Sequence, residues 1–317
     1  MTLFVYEHIT ATMPASDASL YREGRAMRDA LIADLHATPG VEVASFSPGQ
    51  SFDECVRSSD GAWLIAPEFD GILATLAERV ETAGKRFLGP SSSAIRLTTD
   101  KLALAKRWRD AGVPTPPTMP FNDWQDRSFP VVVKPIDGCG STATTLVRNE
   151  TEIDLGLGRA ENEGYSPDRL IVQPFIPGRP ASVAFLIGRR EVIPLVPTFQ
   201  RVSPDSRFAY EGGELPIPLP LSERAIRLAK RAIDCVPGLF GYVGVDLVLG
   251  ERGDGSDDYT MEINPRLTTS YVGLRALAAF NLAEAVVSLA LEKPVPVVRW
   301  KTGHVRFLPD GTASIVR

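Results

Sequence analysis

The sequence predicts a multi-unit α/β protein: a small parallel α/β layer at the N-terminus, then antiparallel hairpins that carry the chemistry. Three observations predict it. The chain has 317 residues, more than one compact core usually serves, so two or three units are expected. Short apolar strands alternate with amphipathic helices over residues 2–90, as in a parallel layer. Beyond them, β-branched runs turn back on themselves across glycine-rich loops.

Composition narrows the class. Hydrophobic residues make up 44% and charged residues 23%, ordinary for a globular protein. A net charge of −5 and a pI near 5.4 give no support to nucleic-acid or anionic-membrane partners. No apolar run approaches the roughly 20 residues that span a bilayer, and MTLFVYEHIT lacks the features of a signal peptide. Cys55, Cys139 and Cys235 lie far apart without CxxC spacing, which fits reduced thiols and a cytoplasmic location. Oligomeric state stays open.

The elements follow in order. LFVYE reads as a strand, and a polar loop then leads to a helix with Leu20, Met27, Leu31 and Leu35 on one stripe. VEVASF, GAWLIAP, a helix over ILATLAERVETAG, and RFLGP continue the alternation. Ligands of such sheets sit beyond the strand ends, where Glu7 and Glu68 fall; solvated strand-end carboxylates are the alternative reading. Thr98, Thr99 or Asp100 can cap a helix running to Ala111, which Gly112 and the prolines stop. Lys101 would then sit in the first turn, against the helix dipole. On its own it reads as a surface lysine.

VVVK places Val131 and Val133 on one face of a strand and Val132 and Lys134 on the other. The loop Asp137–Ser141 follows, and TATTLV returns as a second strand. A dinucleotide fingerprint needs a helix after the glycines, and no GxxxxGK[ST] occurs in the chain. What remains is a flexible hairpin, or a glycine loop whose N–H groups cover phosphates above Lys134. IVQPFI is another strand, and ASVAFLIG with EVIPLVP forms a hairpin. QRVSPDSRFAYEGGELPIPLP reads as a long lid or binding loop. LSERAIRLAKRAIDCVPG is a helix capped by Ser222, with Ala225, Ile226, Ala229 and Ile233 apolar.

GYVGVDLVLG and YTMEINP form a hairpin around ERGDGSDD. Folding about Asp254 sets Asp246 opposite Glu262, with a one-residue slip as the hazard. Period two puts Glu262 and Asn264 on one face and Met261 and Ile263 on the other. Two adjacent carboxylates repel unless protonated or neutralised. Two such groups plus an amide suit Mg²⁺. A polar edge strand is the alternative.

Taken together, Lys101 before GVPTP, VVVKPIDGCGS, IVQPFIPG, GVDLV and MEINPR resemble the ATP-grasp superfamily across nearly the whole chain. The resemblance implies an α+β ATP-grasp fold. A Rossmann-like pre-ATP-grasp domain would occupy residues 1–97, a lid subdomain with its leading helix 98–175, and an antiparallel-sheet domain with the metal ligands 176–317. ATP would lie between the last two. The cofactors implied are ATP and Mg²⁺ or Mn²⁺. Lys101 and Lys134 would contact phosphates under the loop Gly138–Ser141, with Gly138, Gly140 and Ser141 bound to nucleotide. Gln173, Phe175 and Ile176 would line the adenine pocket, and Asp246, Glu262 and Asn264 would hold metal. Pro180 stands where many members carry a ribose-binding glutamate, which leaves that contact without a donor.

VYE, LYREGRAM and NPRLTTSY are further similar to the tyramine–glutamate ligases of methanofuran-type cofactor biosynthesis. This implies that Glu7, Glu23, Arg25, Arg266, Thr268, Thr269 and Ser270 form the substrate pocket. Glu23 and Arg25 read equally well as an exposed helix face. The activity implied is amide formation through an acyl phosphate, with Lys134 and Arg266 catalytic and a small-molecule carboxylate and amine as partners. The alternatives are another amino-acid or dipeptide ligase and a nucleotide-binding module without catalysis. A dehydrogenase would need a glycine fingerprint that the N-terminal layer lacks.

Overall fold

The computed structural model describes residues 1–13, 19–47 and 49–316. The first sheet holds β1 (Thr2–Glu7), β2 (Glu42–Ser45), β3 (Gly61–Ile65) and β4 (Arg86–Phe87), all parallel, in the order β2-β1-β3-β4. Helices α1 (His8–Thr12), α2 (Ser19–His36), α3 (Phe52–Ser58) and α4 (Ile72–Thr82) accompany it. Met27, Leu31 and Leu35 are the buried stripe of α2. The two central strands, β1 and β3, are buried along nearly their whole length, because the middle of a parallel sheet is packed on both faces. Part of the polar loop before α2, residues 14–18, lies outside the described residues.

Helices α5 (Ser92–Thr99) and α6 (Lys101–Asp110) connect to the second sheet. Of the three capping candidates, Asp100 is the one used: Oδ1 accepts the N–H groups of Leu102 and Ala103, at 3.0 Å each. The second sheet is antiparallel: β5 (Met119–Pro120), β6 (Val131–Pro135), β7 (Thr145–Val147) and β8 (Leu170–Pro174), ordered β5-β8-β6-β7 and backed by α7 (Ile153–Asn162). The strand expected over TATTLV starts only at Thr145. Ser141 and Ala143 both take positive φ, 61° and 49°, so the chain is still turning there.

The third sheet contains β9 (Arg179–Ile187), β10 (Val192–Pro194), β11 (Thr198–Val202), β12 (Tyr210–Leu215), β13 (Gly241–Leu249), β14 (Tyr259–Asn264), β15 (His304–Phe307) and β16 (Ala313–Val316). Its order is β14-β13-β9-β11-β12-β15-β16, with β10 on β9. Helices α8 (Leu219–Asp234), α9 (Ser270–Leu277) and α10 (Leu282–Ala290) pack on it. The chain is thus α/β with a parallel first sheet and antiparallel later ones.

Two local expectations fail here. The long loop expected from Gln200 is a hairpin, β11–β12, and only residues 203–209 connect its strands. Ser222 does not cap α8: the helix begins at Leu219 after Pro218, with Pro220 in its first turn, where a missing N–H is tolerated. Apolar packing divides unequally. One core joins Leu3, Leu31 and Ile65 of the first unit to Leu186, Tyr242 and Leu274 of the third. The second sheet has a separate core around Trp124, Val131, Val133 and Val172.

Candidate functional site

Between the second and third sheets lies a cavity of about 460 Å³. The strand period explains how β6 serves it: Val131 and Val133 enter the small core, while Val132 and Lys134 face the cavity. Opposite them, the β13–β14 hairpin forms the floor. Asp246 pairs with Glu262, Val245 with Ile263 and Gly244 with Asn264. Beyond Asp246 the register shifts, and Leu247 pairs with Thr260. This bulge re-aims Met261. The side chain expected on the far face therefore lines the cavity, whereas Ile263 stays in the core at 3% exposure.

The carboxylates are densely contacted. Asp246 Oδ2 accepts from Asn264 Nδ2 at 3.0 Å, and Oδ1 accepts from Gln200 Nε2 at 2.9 Å. Burial, and then the Glu262 charge, push the Asp246 carboxyl up to about 7. Burial also opposes ionisation of Glu262, but Lys101 and Lys134 outweigh it and hold that carboxyl below its ordinary value. Such a strained pair, one member reluctant to ionise, fits a divalent cation that would neutralise both. Among the described residues no group of three or more His, Cys, Asp or Glu side chains is placed to hold a metal ion. The donor set is two carboxylates and an amide, suited to a cation that keeps several waters.

Lys101 is not a surface residue. It is 8% exposed, lies 3.7 Å from Glu262 Oε2 and donates to the Gly138 carbonyl at 2.7 Å. Burial lowers the Lys134 ammonium to about 8, against the raising influence of Glu262. At the other end, Gln173 is 2% exposed and donates through Nε2 to Thr118 Oγ1 at 2.7 Å. Its Oε1 is buried without a partner. A buried orphan acceptor beside Phe175 and Ile176 fits the amino edge of a nucleobase. Phe208 stacks on Phe175 with centroids 6.2 Å apart and rings inclined by 19°.

Lys101, Lys134, Gly138, Gly140, Ser141, Gln173, Phe175, Ile176, Asp246 and Glu262 all line this cavity, and so does Pro180. A smaller cavity of about 160 Å³ adjoins it and shares Ser141, Asp246 and Glu262. Glu23, Asn264, Arg266, Thr268, Thr269 and Ser270 line the smaller one.

Glu7 and Arg25 line neither cavity. Glu7, 3% exposed, caps α1 by accepting the N–H groups of Ile9 at 3.0 Å and Thr10 at 2.7 Å. Arg25 pairs with Asp29 at 3.5 Å on an exposed face, with 65% of its side chain accessible. Glu68 is not solvated either. It is 6% exposed and pairs with Arg266, Nε to Oε1 at 2.9 Å and Nη2 to Oε2 at 3.1 Å. The first contact is close but poorly aligned, since both atoms lack a hydrogen-bond partner.

Sequence reasoning missed Gln200, Phe208 and Tyr210 as lining residues, because their segment read as a loop. The β-branched and aromatic residues Thr198, Phe199 and Val202 of TFQRV were the available sign of a strand there.

Comparison with known proteins bears on this geometry. The "ATP-grasp domain" family description matches residues 98–270, and a "pre ATP-grasp 3 domain" matches residues 25–95. A tyramine–L-glutamate ligase from Methanocaldococcus jannaschii is 32% identical over 231 residues, 73% of this chain and 63% of the relative. The match thus spans less than two thirds of that protein. A D-alanine–D-alanine ligase from Ralstonia pickettii is 27% identical over 81% of this chain and 80% of its own. Among solved structures, an ATP-grasp superfamily protein from Archaeoglobus fulgidus superposes with a TM-score of 0.74 and 28% identity. That superposition covers 96% of this chain and 92% of that one.

Proposed function

This chain belongs to the ATP-grasp family, and from that premise we propose that it is an ATP- and Mg-dependent ligase. It would join L-glutamate to tyramine or a similar amine through an acyl phosphate. The observation that carries the reading is the Asp246–Glu262 pair facing the cavity that Lys101 and Lys134 also line.

Residues 1–97 would supply a wall of the substrate site, 98–175 the lid and 176–317 the metal-binding floor. Asp246, Glu262 and Asn264 would hold Mg²⁺, or Mn²⁺, whose chemistry is to neutralise phosphate charge. Lys101 and Lys134 neutralise the remainder as point charges. Gln173 Oε1 accepts from the base while Thr118 fixes its amide. Arg266, anchored by Glu68, faces the smaller cavity, where it orients a substrate carboxylate for in-line attack on the γ-phosphorus. An amine then attacks the activated carbonyl and inorganic phosphate leaves. The Gly138–Ser141 loop excludes water, which would otherwise hydrolyse the acyl phosphate. Cys139 takes no part: burial pushes its thiol up to about 12, so it stays protonated.

Purified protein with Mg-ATP should release ADP when L-glutamate and tyramine are both supplied. Asp246→Asn and Glu262→Gln should each abolish that release with unchanged circular dichroism. Undiminished turnover in either variant refutes the metal assignment. Signal from a different carboxylate–amine pair alone would replace the substrates and keep the ligase.

A further inference from the structure

We propose a second ligand site, remote from the ligase cavities: a cleft at the amino ends of the parallel strands that takes a small aromatic acid, with Lys85, Arg86 and Arg189 around its anionic group. A cavity of about 620 Å³ opens there. It shares no lining residue with either cavity described above. Register fixes its position. Gly61 pairs with Leu3 on one side and with Arg86 on the other, so Asp60, Lys85 and Arg86 gather where β3 and β4 begin. The carboxyl end of β3 leads instead to Glu68, and through it to Arg266. At about 3.3 Å per residue, the six residues of β1 hold the two ends of the layer roughly 17 Å apart. Ligands of a parallel layer ordinarily sit at its carboxyl ends. This cleft is at the other end.

The third unit supplies the facing wall. Arg189 stands in the turn between β9 and β10, Phe240 precedes β13, and Leu289 lies near the end of α10. Two glycines bring that wall close. A Cβ at Gly188 would lie 2.6 Å from Leu289 Cδ2, and one at Gly241, whose φ is +73°, would lie 2.8 Å from the Leu88 carbonyl. Leu88 and Leu289 belong to the apolar core that joins the first and third units, and Phe240 packs against it. The cleft is therefore preformed, as ligand sites usually are.

Charge decides the occupant. Lys85, Arg86 and Arg189 line the cleft against one carboxylate, Asp60, whose Oδ2 accepts the Thr2 N–H at 2.8 Å. Among the described residues no ion pair joins Lys85 or Arg86 to a carboxylate. Arg189 meets Glu292 at 3.1 Å, but both side chains are largely exposed, and pairs of that kind are readily exchanged. In a chain of net charge −5 this is a local surplus of positive charge. A guanidinium takes a carboxylate or a phosphate in a fork. Phe87 and Phe240 add apolar surface to the same lining. An acid carried on an aromatic body satisfies both.

The test is a ligand-observed NMR titration of the full chain without nucleotide. The probes are 3-phenylpropanoate and phenyl phosphate, with propanoate as an acid without a ring and 3-phenylpropan-1-ol as a ring without charge. At least one aromatic acid should bind with a Kd on the order of 0.1–1 mM, and the tighter of the two identifies the anionic group. Propanoate and the alcohol should each bind about tenfold more weakly or worse. Arg86→Gln and Arg189→Gln, both at exposed positions, should each weaken the aromatic acid about tenfold and leave the Kd for Mg-ATP unchanged. Three results overturn the proposal. Neither acid binds at about 10 mM, a ceiling above the expected Kd; or the alcohol binds as tightly as the acid; or binding survives in the Arg86→Gln/Arg189→Gln double variant and is abolished by saturating Mg-ATP, which would assign it to the ligase cavities. The ligase reading stands or falls on ADP release, independently of this titration.

Discussion

Lys134 shows what burial does to a single charge. The side chain lies on the cavity face of β6 at 8% exposure. Desolvation destabilises its ammonium and lowers its proton affinity to about 8. The sign follows directly. A lysine lowered in this way is charged below about pH 8 and neutral above it, well before an exposed lysine deprotonates. If its charge holds phosphate, kcat/KM for ATP should fall as pH rises through 8, because that ratio reports the free enzyme. Lys134→Arg should move the fall to higher pH, arginine staying protonated throughout. A flat profile for the native protein would show that Lys134 does not hold phosphate as a cation. At this scale much of the candidate site was legible. Asp246, Glu262 and Asn264 share one strand pair, and period two assigns their faces and that of Lys134. The pairing of Glu68 with Arg266 and of Gln200 with Asp246 was not legible, because each joins elements remote in the chain.

Among elements, the β11–β12 hairpin is where local reading failed most clearly. Pro204, Gly212, Gly213 and Pro216 argue for a loop by composition. The glycines serve another purpose. Gly212 has φ +113°, and a side chain there would run into the Phe307 carbonyl of β15. A Cβ at Gly213 would lie 2.7 Å from the Phe199 carbonyl and 2.7 Å from the Phe307 ring. They mark close backbone approach between strands, not freedom. Gly212→Ala should therefore cost roughly 2 kcal/mol or more, read as a lower urea midpoint, while Gly49→Ala, a positive-φ glycine in open space, should cost less. Equal losses would mean that left-handed backbone strain, common to both, outweighs the steric contact. The β13–β14 hairpin gives the converse case. Its register near Asp246 follows from symmetry about the turn, but the bulge that carries Met261 into the cavity has no local signal in the sequence.

At the scale of the molecule, the distribution of cores decides what can move. The first and third units share one apolar core. The second sheet owns a separate, smaller one. Several of its ties to its neighbours are polar: Arg169 to Asp70 at 3.1 Å, Ser141 Oγ to the Phe208 carbonyl at 2.7 Å, and the Leu146 N–H to the Ser206 carbonyl at 2.8 Å. Contacts of this kind open at less cost than buried apolar ones. A non-hydrolysable ATP analogue should then slow amide hydrogen exchange across residues 131–147 and 203–209 while leaving β1 and β9 unchanged. Uniform slowing through all three sheets would show that the lid has no independence.

The sequence alone determined the class of each layer, the order of the units and the facing of the carboxylates, since strand alternation and hairpin symmetry act over a few residues. Tertiary structure decided which distant groups complete the site. Glu68 on Arg266 and Gln200 on Asp246 both join elements separated along the chain, and no local period encodes a contact made only when sheets and helices pack.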